Sequence, residues 1–168
     1  MNDTKNAQSN TYLTFYLDEE LFGLNIQMVR EVLEYTPVTR VPMTADFMLG
    51  VINVRGHVVP VVDLRRKFGL NRTEQTVNTC IIIVEIAIEG DSSTMGALVD
   101  GVQEVMDIMP EQIEKSPRLG SRIETRFIQG IGKLTDRFVI LLNIQSAFSL
   151  DELSMIAEIQ QQTEEQNA

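Results

Sequence analysis

From Tyr12 onward the chain is a succession of short apolar segments separated by small polar turns. Tyr12 to Leu17 alternates two faces and predicts a strand, and Asp18-Glu19-Glu20 turns it into a second, Leu21 to Ile26. The period then changes. Met28, Val32 and Tyr35 are spaced as on a helix, which predicts a helix over 27–35 that Pro37 stops. Thr44 is placed to cap a single turn ending at Gly50. Two apolar runs follow, Gly50 to Val54 and Val58 to Val62, around the polar segment Arg55-Gly56-His57. That is a β-hairpin, with Gly56 free to take the positive φ of its turn. Pro60 cannot donate to a ladder, so its strand is expected at a sheet edge or with a bulge. Asp63 can cap a short helix, Leu64 to Phe68, which Gly69 ends.

Beyond a polar link, Asn71 to Val77, the same kinds of segment return. Thr79 to Ile88 is a β-branched strand, turned by Glu89-Gly90-Asp91 into Met95 to Val99. Pro110 suits the first turn of a short helix through Ile113, and Lys115 to Thr125 is expected as loop. Phe127 to Leu134 and Arg137 to Ile144 form a strand pair across Thr135-Asp136. Ser149 with Glu152 makes a capping box for a last helix with Leu150, Leu153, Ile156 and Ala157 on one face, fraying from Gln160.

The halves echo each other. Phe22-Gly23-Leu24 and Val29-Arg30-Glu31-Val32 reappear 73 positions later as Met95-Gly96-Ala97 and Val102-Gln103-Glu104-Val105. Gly50-Val51 through Val62-Asp63 reappears 80 positions later as Gly130-Ile131 through Leu142-Asn143. Four short strands per half suit two similar small barrels packed side by side. The segments at Val29 and Val102 are then expected as two helix-like pieces bracketing a groove between the barrels.

Composition removes several functions. A net charge of −10 and a pI near 4.5 give no basic face for nucleic acid. With one histidine, His57, and one cysteine, Cys80, neither a two-histidine metal site nor a four-ligand Cys/His zinc site can be assembled. Gly130-Ile-Gly-Lys133 imitates a phosphate loop, but Thr125 stands where its first glycine belongs and Leu134 where a hydroxyl should reach magnesium. The carboxylates Asp18, Glu19 and Glu20 are contiguous in a turn rather than paired across a pocket. Arg65-Arg66-Lys67 either meets an acidic partner or is solvated, and the eight methionines either fill the core or form a pliable surface. No apolar run approaches the roughly 20 residues of a membrane span, and Met1 to Asn10 is polar, reading as a disordered tail without a signal peptide. The cytoplasm is the expected location, and a binding module without catalysis or cofactor the expected class.

The hairpin Gly50-Val-Ile-Asn-Val-Arg-Gly-His-Val-Val-Pro-Val-Val-Asp-Leu-Arg65 resembles the CheW family, coupling proteins that join bacterial chemoreceptors to their histidine kinase. Val54 replaces the leucine that usually precedes the arginine. Phe22 to Ile26, Val29 to Val32, Val38 to Val41, Gly96 to Asp100, Val102 to Val105 and Phe127 to Gly132 resemble the family's other blocks in order and spacing. The resemblance implies a mainly β fold, two intertwined SH3-like five-stranded β-barrels with short helices and a C-terminal helix. It places a CheW-like domain at 11–150, with barrel repeats at about 11–70 and 76–150, after a tail at 1–10 and before a helix and tail at 151–168. It implies a scaffold that binds the regulatory domain of the histidine kinase CheA, itself a double barrel, and the cytoplasmic tips of chemoreceptors, meeting the membrane only through them. Carried over, the partner-binding positions are Val29, Glu31, Gly50, Arg55, Val102 and Val105. Arg55 and Glu31, opposite charges among apolar neighbours, each need a partner, which the other could supply. Two rival readings are a coupling protein for a related motility or sensory array, and a small-molecule or nucleotide-binding barrel using Gly130 to Lys133.

Overall fold

A computed structural model describes residues 9–42, 45–115 and 127–167, the last six as helix backbone only. The strands are β1 (Thr11–Leu17), β2 (Glu20–Asn25), β3 (Val29–Glu34), β4 (Met48–Val54), β5 (His57–Asp63), β6 (Cys80–Ile88), β7 (Asp91–Val99), β8 (Gly101–Asp107), β9 (Ile113–Glu114), β10 (Ile128–Lys133) and β11 (Phe138–Leu142). The α-helices are α1 (Leu64–Lys67) and α2 (Leu150–Asn167). One sheet has the order β8-β1-β2-β11-β10-β9, the other β3-β6-β7-β5-β4. The fold is mainly β, two intertwined barrels as the family resemblance implies, rather than one barrel per repeat packed side by side.

The intertwining follows the duplication. Each sheet takes strands from both repeats, joined by parallel pairing of β2 with β11 and of β7 with β5. Leu141 lies opposite Gly23 in one seam and Val61 opposite Gly96 in the other, residues that correspond pair by pair in the repeat. Both glycines let side chains of the neighbouring strands approach closely. A Cβ on Gly23 would come 2.9 Å from Leu141 Cδ2, and one on Gly96 2.8 Å from Ile81 Cγ2. The bulges are duplicated too, at Met48/Gly50 in β4 and Ile128/Gly130 in β10, and so are those at Val29/Glu31 and Thr14/Phe15, which set apart Arg30 and Gln103.

Three apolar clusters result. Ile52, Val59, Val61, Ile81, Ile83 and Leu98 fill one barrel; Tyr12, Leu21, Ile108, Val139 and Leu141 fill the other. The largest cluster lies between them, with Phe15, Phe22, Leu24, Ile82, Val84 and Met95 fully or almost fully buried. Helix α2 closes that central cluster with Leu153, Ile156 and Ile159.

Several expectations are corrected. The segment 27–35 is not a helix: a 3-10 turn, Ile26–Met28, leads into strand β3, whose burial alternates residue by residue. The backbone pairs with β6, and the bulge at Arg30 lets Val29 pack on the central cluster while Leu33 packs inside one barrel, on the opposite face of the sheet. Its repeat counterpart, Val102 to Val105, is likewise strand, in β8, so these are not helices flanking a groove. Gly50 lies within β4 rather than ending a turn, and Thr44 falls outside the described residues, as does 116–125 of the expected loop. Strand β5 is internal, not an edge; its bulge is on β4, and its pairing to β7 begins only after Pro60, at Val61. There the side-chain amide of Gln160 in α2 donates to the Val58 carbonyl, 2.8 Å away. The helix therefore does not fray at Gln160. Leu150 is 81% exposed, so the helix's buried face is shifted by one turn to Leu153, Ile156 and Ile159.

The capping box forms as expected. Ser149 N–H donates to Glu152 Oε1 (2.8 Å) and Glu152 N–H to Ser149 Oγ (3.1 Å). Glu152 also receives Lys67, whose Nζ lies 3.0 Å from both carboxylate oxygens and 5.1–5.6 Å from the ring centres of Phe47, Phe127 and Phe148. Burial raises the Glu152 pKa, but the Ser149 N–H, the Lys67 hydrogen bond and charge, and the Ser149 hydroxyl outweigh it, and the net shift is downward.

Two outcomes are expected. Leu153→Ala costs about 2–5 kcal/mol, whereas Leu150→Ala stays within about 0.5 kcal/mol; denaturant unfolding of both variants checks this. Because the Glu152 pKa is lowered in the folded state, its contribution is present above the unfolded value and is lost as pH falls through the folded one. Glu152→Gln should therefore melt below wild type at pH 7, with the difference closing as the pH is lowered through the carboxylate range.

Candidate functional site

The hairpin of β4 and β5 turns on two residues, Arg55 (φ 51) and Gly56 (φ 88). Both need positive φ in such a turn, and the Asn53 side chain accepts the Gly56 N–H at 2.9 Å. Arginine is a poor choice for this backbone, where asparagine, aspartate or glycine is favoured. Its side chain is 71% exposed and forks onto Glu31 of β3, Nη1 lying 3.2 Å from Oε1 and Nη2 bonded to Oε2. The bonded guanidinium holds the Glu31 carboxyl below its usual range and is itself held more strongly protonated. The two residues thus answer each other, across the barrel from strand β3 to the hairpin tip.

The other four carried-over positions divide between interior and surface. Val29 and Val102 are half-buried against the central cluster, at equivalent places in β3 and β8. Val105 is 53% exposed on β8. Gly50 is buried with φ 147, and a side chain there would collide with the Thr39 carbonyl, which accepts the Val51 N–H at 2.8 Å. The structure therefore brings Glu31 and Arg55 together, with Val29 on the same strand, while Val102 and Val105 stand on the edge strand of the other sheet. Val32, the repeat counterpart of Val105, is 40% exposed and was not singled out from sequence. The repeat could have found it, had both segments been read as strands.

Lys133 has no phosphate-loop geometry around it. It ends strand β10, pairs with Glu114 (2.9 Å) and leads into the β10–β11 hairpin instead of a helix. Within the basic cluster, Arg65 joins Asp100 at 2.9 Å, Arg66 joins Asp46 and Lys67 joins Glu152, so these cations hold the fold together.

What such a double barrel does is read from its relatives. Residues 11–152 match the family described as the CheW-like domain. The chain is 34% identical over 148 residues to a chemotaxis protein CheW of Klebsiella aerogenes, covering 88% of this chain and 87% of that one. It is 30% identical to a chemotaxis protein CheW of Bacillus subtilis, over 80% of this chain and 82% of that one. The solved scaffolding protein TtCheW of Thermoanaerobacter tengcongensis matches with a TM-score of 0.76 and 36% identity, covering 87% of this chain and 96% of that one. The protein is a non-enzymatic chemotaxis coupling scaffold. It belongs to the CheW family.

Gly50→Ala should cost more than about 3 kcal/mol, through the strained φ together with the collision on Thr39. Gly56→Ala, with open space around it, should cost about 1–2 kcal/mol. Parallel urea titrations compare the two.

Proposed function

We propose that the chain couples the cytoplasmic tips of chemoreceptors to the regulatory domain of the histidine kinase CheA, acting in the cytoplasm at receptor arrays and meeting the membrane only through the receptors. Among the described residues no helix is long and apolar enough to cross a membrane. The observation that carries the reading is Arg55, an exposed cation held in a turn that would be better made by another residue. A side chain kept against its backbone preference, and paired only at the surface, is suited to exchange its partner. Glu31 keeps the guanidinium extended until a competing carboxylate or carbonyl arrives.

The exposed valines Val32 and Val105 stand on the two edge strands β3 and β8 and offer apolar contact there. Val29 and Val102, half-buried behind them, support those edges, and Gly50 fixes the hairpin that carries Arg55. Coupling of this kind needs no chemistry in the scaffold. A receptor state that binds the scaffold more tightly together with one kinase state shifts the kinase equilibrium by that difference.

The test separates binding from folding. Arg55→Asn suits the turn and should melt at or above the wild-type temperature, while kinase or receptor association, measured by calorimetry, weakens by more than about tenfold. Arg55→Glu should weaken it further. Unchanged binding of both variants to both partners would remove Arg55 from the interface.

A further inference from the structure

Among the described arginines, Arg30, Arg55, Arg65, Arg66 and Arg137 each have a carboxylate within ion-pair reach. Arg40 and Arg72 have none, in a chain whose net charge of −10 leaves no shortage of carboxylates. These two line the same pair of cavities, of about 380 and 160 Å³, which share Arg40, Leu49 and Arg72 in their walls. The cavities lie between the segment that follows β3 and the link that follows α1.

The carboxylates in these walls are Asp46 and Asp63, and both are engaged elsewhere. Asp46 pairs with Arg66. Asp63 is fully buried and accepts from the Arg65 N–H (3.1 Å), the Thr73 N–H (3.1 Å) and the Thr73 hydroxyl (2.7 Å). The positive charge of the two guanidiniums is therefore not answered by any carboxylate among the described residues. Beside them Val41, Pro42, Met48 and Leu49 give the larger cavity an apolar wall.

We propose that this cleft is a docking site for an extended segment of a partner protein in which a carboxylate side chain adjoins an apolar one. Guanidinium forks match carboxylates in bidentate geometry. The apolar wall decides between possible occupants: a free inorganic anion would use the arginines and leave that wall idle, whereas an acidic–apolar segment covers both. The cleft shares no residue with the Arg55–Glu31 pair, so loss of one interaction is separable from loss of the other.

The experiment is amide-resolved NMR on the isotope-labelled full chain. It is titrated in turn with the capped peptide Gly-Glu-Leu-Glu-Leu-Gly, with its counterpart carrying lysine in place of glutamate, and with inorganic phosphate. Saturable shifts are expected with the glutamate peptide alone, centred on Val41, Leu49 and Thr73. Arg40→Ala combined with Arg72→Ala should weaken binding at least about tenfold. Both side chains are exposed and unpaired, so the melting temperature of the double variant should be unchanged. The proposal is overturned if the glutamate peptide gives no saturable shifts, if the lysine peptide does equally well, or if the double variant binds as tightly as wild type. Phosphate reproducing the same shifts at the same concentration would make this a small-anion site and overturn the peptide assignment.

Discussion

The fold depends on two parallel seams. An antiparallel meander made of one repeat could close on itself, but here β5 pairs with β7 and β11 with β2, so neither sheet exists without strands from both halves. Such seams require close approach, and Gly23 and Gly96 provide it, since a methyl group on either would press on a side chain of a neighbouring strand. Val61 and Leu141, opposite these glycines, belong to the two barrel cores. Each seam thus ties one barrel's interior to a strand of the other repeat. This makes the two barrels one cooperative unit and leaves the large cluster between them as the main store of apolar burial.

Charge then fastens what the seams align. Lys67, only 9% exposed, sits among Phe47, Phe127 and Phe148 and against Glu152. Phe47 and Phe127 are repeat counterparts, and the backbones of Asp63 and Asn143 donate to their carbonyls at the same distance, 2.8 Å. The lysine therefore bridges the two repeats, and its carboxylate partner comes from α2. A desolvated cation facing aromatic rings and a hydrogen-bonded carboxylate is costly to leave half-paired. That makes α2 part of the body of the fold.

Much of this was legible in the sequence, and the misreadings share a cause. Hairpins were found because Arg55-Gly56 and Glu89-Gly90 announce tight turns, and the duplication because its glycines keep their spacing. The segment 27–35 was misread because Met28, Val32 and Tyr35 fit a helical period, while the alternation at Val29, Glu31 and Leu33 was equally present and gained its partner only from β6, about fifty residues on. Pro60 suggested an edge because the chain does not disclose that α2, about a hundred residues later, supplies a donor to the neighbouring Val58 carbonyl. Of the site, the Glu31–Arg55 pairing was foreseeable from charge. Which valines face solvent was not, because facing is fixed by register and not by residue type.

Duplication also gives the coupling we propose two edges of like backbone and unlike charge. Strands β3 and β8 are equivalent edges, each with a bulge and an exposed valine, Val32 on one and Val105 on the other. Their charges have diverged. The first edge carries Glu31 paired with Arg55 and, at the bulge, Arg30 paired with Glu85. The second carries exposed Glu104, with Thr135 at the place of Arg55, and its bulge is closed by the buried Thr14 hydroxyl, which donates to the Glu104 carbonyl at 2.7 Å. The equivalent backbones therefore differ in charge, one edge carrying a cation and the other a carboxylate with no ion-pair partner among the described residues, and in the coupling we propose that difference would discriminate between partners. In the coupling we propose, a state change at one edge reaches the other through the seams and the shared central core. Neither barrel can shift its strands without moving a strand of its twin.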